Sequence, residues 1–201
     1  MLAVDRDLES LEDLLKQFEG KVTGLKVDVT DFSEVSAMMD QAVNEFGTLD
    51  IVVNNAGIAS GKPLLEHDPK TDFEAITDVN QKGVYHGLIA GGRKLVALGK
   101  PGVILNTSSI YAQFAAERTF TYNVSKAAVD MMTKCAALEY APHNIRVVAV
   151  APGRVDTPML QGFKAVGLWD QVRSEQMRNE ITQPREIACV FAFLASDAAN
   201  C

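Results

Sequence analysis

Leu49-Asp50-Ile51-Val52-Val53-Asn54-Asn55-Ala56-Gly57 decides the fold. Residues 49–54 read as a strand that is apolar at nearly every position, the pattern of a parallel strand covered on both faces; a sheet with one wet face would alternate. The run ends on two amides and an Ala-Gly pair. Backbone can therefore pass close to a flat ligand, with hydrogen-bonding groups left at the strand's carboxyl end. The alternative is an ordinary turn.

Strand and helix patterns alternate outward from this point in both directions. On the N-terminal side, residues 22–29 read as a strand, and Asp31 or Ser33 can cap a helix running to Phe46 with Gly47 as its stop. Before them, Leu2-Ala3-Val4 reads as the last piece of a buried strand. A helix follows, with Leu8, Leu11, Leu14, Leu15 and Phe18 at helical spacing and Gly20 as its end. On the C-terminal side a polar loop leads to a long helix over about residues 69–98. A strand over 102–108, a helix over 120–140, a strand over 145–151 and a last helix opened by Pro184 and running to about Ala195 follow. This alternation predicts an α/β fold with right-handed crossovers: a doubly wound, Rossmann-like parallel sheet in a single domain over 1–201. Ligands of such sheets bind outside the carboxyl ends of the strands.

The composition excludes several functions. A net charge of −7 with mixed signs does not make a nucleic-acid surface. No run of 18 apolar residues exists, and the first turns carry Asp5, Arg6 and Asp7, so neither a membrane span nor a signal peptide is expected. Cys135, Cys189 and Cys201 are far apart and form no C-x-x-C pair, which predicts reduced thiols and a cytoplasmic protein. His67, His86 and His143 have no ligand spacing, so no metal is expected.

Within Thr121-Tyr122-Asn123-Val124-Ser125-Lys126, helical spacing puts Tyr122 and Lys126 at i and i+4, with Cβ atoms ~6 Å apart. A phenol ionises near 10, too high for neutral-pH acid/base work. An ammonium beside it favours the phenolate and is expected to pull that value down, making a proton donor and acceptor for a C–OH/C=O centre. Asp5 directly follows the first strand, where a carboxylate can bind the hydroxyls of an adenosine ribose and repel a 2′-phosphate. Arg6 argues for the phosphate, and a helix cap is the other reading of Asp5. The balance favours NAD over NADP. Asn80 lies inside the long helix, where its side chain competes for backbone hydrogen bonds; a local opening of the helix, or simple exposure, would account for it.

The chain also carries Asp78-Val79-Asn80, Ile104-Leu105-Asn106-Thr107-Ser108-Ser109, Ile145-Arg146-Val147-Val148-Ala149-Val150-Ala151-Pro152-Gly153 and Val155-Asp156-Thr157-Pro158. With the Asn54-Asn55-Ala56-Gly57 and Tyr122/Lys126 elements, this set resembles the short-chain dehydrogenase/reductase family over essentially the whole chain.

The resemblance implies a nicotinamide-dependent oxidoreductase acting on a secondary alcohol or ketone. Tyr122 would be the acid/base, and Lys126 would lower its pKa and contact the nicotinamide ribose. Ser109, 13 residues before Tyr122, would position the carbonyl, and Asn80 would hold a water that completes a proton relay. Asp28-Val29 falls where the family places an acidic side chain near the adenine; a cap is the alternative for Asp28. The loop of Pro152, Gly153, Val155 and Thr157 would clasp the nicotinamide amide and the pyrophosphate. Residues 157–182 would form a substrate lid lined by Phe163, Leu168 and Trp169, the alternative being an amphipathic surface helix. The helix over 120–140 has more apolar residues than one stripe needs (Ala127, Ala128, Met131, Met132, Cys135, Ala136), and the family often pairs it and the preceding long helix in homodimers or homotetramers.

Three departures from the family pattern stand out. Tyr111, bulky and expected near the substrate, follows Ser109-Ile110 where a glycine often comes shortly after the serines. The glycine-rich phosphate loop would precede Met1, and a closing strand would follow Cys201. The 201 residues are thus expected to be truncated at both ends, with interior strand edges left unpaired. A non-catalytic member, kept for oligomerisation or ligand sensing, is the second functional reading. That all four catalytic positions are filled favours the enzyme.

Overall fold

The computed structural model describes residues 1–165, 167 and 169–200, without the side chains of Phe163 and Ala165. Of the residues expected to line a lid, Phe163 (its side chain) and Leu168 therefore lie outside what is described, as does Cys201.

Among the described residues five parallel strands form, in two sheets. β1 (Leu2–Asp5) pairs with β2 (Thr23–Lys26), and the second sheet has the order β3-β4-β5, with β3 at Ile51–Asn54, β4 at Gly102–Thr107 and β5 at Ile145–Val150. The registers run from Leu2 opposite Thr23, from Ile51 opposite Val103 and from Gly102 opposite Ile145. β1 and β3 are not hydrogen-bonded to each other, so the doubly wound sheet stands in two parts.

β2 is shorter than its apolar pattern predicts. Asp28 turns the chain by accepting from the amide (2.9 Å) and hydroxyl (2.8 Å) of Thr30, and the Val29 carbonyl is taken by His86 Nδ1 at 2.9 Å. These bonds, local at Asp28 and long-range from His86, compete with the ladder and end the strand at Lys26.

The first expected helix is a 3₁₀ turn (Glu9–Leu11) followed by α1 (Glu12–Gln17). Asp31 caps α2 (Phe32–Phe46) by accepting from the amides of Ser33 and Glu34, and Gly47 ends it with φ 75°. The long helix over 69–98 is continuous but not uniform. Two π-helical stretches, Pro69–Glu74 and Asp78–Lys82, flank the short α3 (Ala75–Thr77), and α4 (Gly83–Leu98) completes it. Asn80 sits in the second π stretch, so the opening expected from a mid-helix Asn is present as a widened turn. α5 (Phe120–Tyr140) and α8 (Pro184–Ala195) follow their periodic patterns. Between them, α6 (Pro158–Ala165) and α7 (Trp169–Ser174) occupy a segment whose ends meet in a bridge between Val155 and Thr182.

β4 is buried along nearly its whole length because α4 and α5 pack against it and α8 packs against it as well. Its Ile104 and Leu105 join Leu95, Val129 and Ile145 among the most deeply buried side chains. Asn54 at the end of β3 donates to Asn106 Oδ1 at 2.8 Å. Asn106 in turn donates to Thr133 Oγ1 at 2.9 Å, and Thr133 to the Val129 carbonyl at 2.8 Å. This buried ladder ties β3, β4 and α5 at the level of the site. α4 can approach it only because residue 87 is glycine; a Cβ there would stand 1.9 Å from Asn54 Oδ1. Gly87→Ala should therefore displace Asn54 and destabilise the protein by ~2–4 kcal/mol, read as a lower denaturant midpoint. An unchanged midpoint would show that the ladder yields without loss. Among the described residues no helix is long and apolar enough to cross a membrane.

Candidate active site

The site is built at the carboxyl end of β4 and the first turns of α5. Lys126 is almost fully buried (3% exposed), with its Nζ 5.7 Å from the centre of the Tyr122 ring. It donates to the Thr107 carbonyl at 2.7 Å. Burial disfavours its charge and brings its pKa from 10.5 down to about 8. Ser109 is buried and extended, and its hydroxyl accepts from the Tyr111 amide at 3.2 Å.

One expectation is corrected. The Tyr122 phenol is raised, not lowered: burial pushes it up and the nearby Tyr111 adds to this, while the Ser109 hydrogen bond and the Arg154 charge oppose it. Lys126 is not among the groups that lower it. The i, i+4 spacing places the ammonium against the ring, but its proton is directed at Thr107, and desolvation weakens the ammonium itself.

Asn80 is wholly buried and holds two segments together. Its Oδ1 accepts from the Ile58 amide at 2.8 Å, and its Nδ2 donates to the Ile58 carbonyl at 2.9 Å and to Ser125 Oγ at 3.0 Å. Ser125 Oγ in turn donates to the Tyr122 carbonyl at 2.8 Å. Asn80 thereby fixes the turn of α5 that carries both Tyr122 and Lys126. At Gly57, a Cβ would stand 3.4 Å from Asn80 Oδ1 and 3.5 Å from Lys126 Nζ. Glycine leaves bare backbone beside the lysine, and this open cradle fits the flat nicotinamide end of a dinucleotide.

Other expected residues fall in different surroundings. The Asn54 carboxamide is turned to Asn106, so only its backbone remains at the strand end; Asn55 Oδ1 accepts from Thr107 Oγ1 at 2.9 Å. Asp5 ends β1, exposed, with one oxygen accepting from the Asp7 amide at 3.0 Å; Asp7, not Asp5, reaches the following turn by accepting from the Glu9 amide. Asp28 closes its turn on Thr30, whose bonds hold the carboxyl below its usual value, and Asp31 rather than Asp28 caps α2. Pro152 accepts from the Ile110 amide at 3.0 Å, and Thr157 Oγ1 donates to the Val155 carbonyl at 3.3 Å. Trp169 stacks under Lys164, whose Nζ lies 5.3 Å from its ring, within the 157–182 segment. Tyr111 stands edge-on to Tyr122, with ring centres 6.4 Å apart.

Arg154 and Glu175, which no motif in the sequence places in the site, both reach this cluster. Arg154 stacks 5.2 Å above the Tyr111 ring and pairs with Glu175 at 2.6 Å. The available signal was an arginine in the Pro-Gly loop together with an aromatic beside the serines.

A family model described as enoyl-(acyl carrier protein) reductase matches residues 1–201. The chain belongs to the short-chain dehydrogenases/reductases. A curated relative, the cis-4-hydroxycyclohexanecarboxylate dehydrogenase of Sinomonas cyclohexanicum, is 38% identical over 88% of this chain and 70% of its own length. The 3-ketoacyl-(acyl-carrier-protein) reductase of Brucella melitensis, solved complexed with NADH, superposes with a TM-score of 0.88 at 32% identity over 98% of this chain and 81% of that one. ElxO, solved with NADP bound, gives 0.88 at 29% identity, with coverage of 98% and 81%. This short-chain dehydrogenase/reductase is thus an NAD(P)-dependent oxidoreductase of alcohols and ketones, with the parallel-stranded Rossmann-like fold of that family.

Proposed function

We propose that Ser109, Tyr122, Lys126 and Asn80 form the catalytic site, interconverting a secondary alcohol and a ketone. The observation that carries this reading is the convergence of a half-buried phenol, a desolvated ammonium and a buried serine at one strand end, with Asn80 bracing the helical turn between them. The nicotinamide, when bound, supplies or accepts the hydride. In reduction, Tyr122 Oη gives its proton to the substrate oxygen while Ser109 Oγ holds that oxygen by a hydrogen bond. A relay through Lys126 and the Asn80 turn returns the proton to the phenolate. Because burial raises Tyr122, its protonated, donating form persists at neutral pH. Turnover of at least one class in a panel of ketones, sugars and acyl-thioesters, followed by nicotinamide absorbance, is expected. Saturable NADH binding with no turnover across the panel would support a non-catalytic role instead.

The cofactor would be held by Asp5 at the adenosine ribose and by Asp28 and Val29 near the adenine. Backbone of Asn54, Ala56 and Gly57, with Lys126, would line the nicotinamide ribose, and Pro152, Gly153, Val155 and Thr157 its amide. NAD is the preferred form: Asp5 presents a carboxylate at the end of β1, and the Arg6 charge acts on Asp28. Asp5→Ser should raise the kcat/KM ratio of NADP over NAD by roughly 10-fold, since a like-charge repulsion is removed. An unchanged ratio would assign the preference elsewhere. Residues 157–182, with Trp169, would cover the substrate.

A homodimer or homotetramer is part of the same proposal. On α5, Val124, Met131 and Leu138 are exposed, and Tyr85 and Val96 are exposed on α4, a helical apolar surplus suited to a second copy. Sedimentation at micromolar concentration should show a dimer or larger species; monomer alone would reject the interface.

A further inference from the structure

Tyr111, Arg154 and Glu175 form a cluster beside Tyr122, and the chemistry described so far makes no use of it. Arg154 follows β5 at the root of the 157–182 segment. Its carbonyl accepts from the Thr182 amide at 3.0 Å and its amide donates to Gln176 Oε1 at 3.2 Å, so its backbone is tied to both the end and the interior of that segment. Its side chain is mostly buried (16% exposed), clasped by Glu175 and laid over the Tyr111 ring. Tyr111 in turn meets Tyr122 at an interplanar angle of 81°. A guanidinium over an aromatic face and an edge-on aromatic pair are each attractive, so the three contacts form one connected stack.

We propose that Arg154 is a positioning residue for the reaction. Held by Glu175, it clamps Tyr111 against Tyr122, so that the orientation and electrostatic surroundings of the acid/base depend on the segment covering the substrate. The inference rests on the proposed role of Tyr122. The charged and titratable groups around that phenol are Lys126 on its own helix, Tyr111 from the turn after β4, Arg154 from the loop after β5, and Glu175 behind Arg154; Ser109 is its neutral hydrogen-bonding neighbour. Arg154 favours the phenolate, and on Tyr111 the charges of Arg154 and Glu175 act in opposite directions.

The test is the pH profile of kcat/KM for alcohol oxidation, which requires the phenolate. Arg154→Met removes the cation and should shift the ascending limb, where the phenol ionises, to higher pH by ~0.5 unit while lowering kcat several-fold. Arg154→Lys should restore the limb but not the full kcat, because an ammonium replaces the charge without the planar stack. Glu175→Gln keeps an acceptor for Arg154 but removes the compensating charge, so its limb should move the opposite way, downward. Limbs that stay in place in both Arg154→Met and Glu175→Gln, or that move in the same direction, would overturn the proposal. Should Arg154→Met fail to fold in a thermal melt, the direction of the Glu175→Gln shift decides alone. Tyr122→Phe separates this idea from the reading beneath it. If that variant turns over normally, the acid/base assignment fails; if it is inactive and the limbs do not move, only the clamp fails.

Discussion

Tyr122→Phe is expected to lower kcat by ~10²–10⁴-fold while leaving nicotinamide affinity nearly unchanged, because the substitution removes only the hydroxyl that exchanges a proton with the substrate oxygen. Packing should survive. The phenyl ring can keep its edge-on contact with Tyr111 and its place 5.7 Å from Lys126 Nζ, and the backbone bond from Ser125 does not involve the lost group. A variant retaining more than about a tenth of wild-type kcat would move the acid/base role to another residue.

Lys126→Met is expected to act in opposite directions on activity and stability. Activity should fall by ~10²-fold or more, since the proposed relay that returns the proton to Tyr122 loses a member. Stability at pH 7 should rise. The ammonium is almost fully buried and its pKa is depressed from 10.5 to about 8, a penalty of ~3 kcal/mol on the charged native form. Against this, the Thr107 carbonyl loses its partner, costing ~1 kcal/mol, so a net gain of ~2 kcal/mol is expected in denaturant melts. The pH dependence carries the sign. Between pH 8 and 10.5 the unfolded chain keeps the lysine proton and the native state has lost it, so wild-type stability should rise through that window relative to the variant. A variant less stable than wild type at pH 7, or a parallel pH dependence, would mean that the charge is better compensated than its surroundings indicate.

How much of this was legible beforehand varies with the physics involved. The helices Phe120–Tyr140 and Pro184–Ala195 have the bounds that their periodicity and punctuation predict, since long amphipathic runs are read locally. Mid-helix Asn80 signalled a disturbed turn, which is the π stretch Asp78–Lys82. Strand ends were less legible: β2 stops at Lys26 because Asp28 and His86 capture the backbone after it, and the His86 bond to Val29 spans 57 positions. The Asn54–Asn106–Thr133 ladder likewise links residues 52 and 27 apart and leaves no local pattern. In the site, the spacing of Tyr122 and Lys126 brought the two groups together but could not say where Nζ points. That direction, toward Thr107, together with burial, reverses the expected shift of the phenol. Tyr111 was noticed as an unusual residue, but its clamp needed Arg154 and Glu175, which come from loops distant in sequence.

The central claim is that Tyr122 and its neighbours pair proton transfer with hydride transfer at one carbon. It is tested most directly by supplying reduced nicotinamide deuterated at its transferable position with a ketone that the enzyme turns over, and locating the label by mass spectrometry. Deuterium on the carbinol carbon with wild type, and at least ~10²-fold less of it in the same time with Tyr122→Phe, is the predicted result. Unlabelled alcohol from wild type, or equal labelling by the two proteins, would contradict the account.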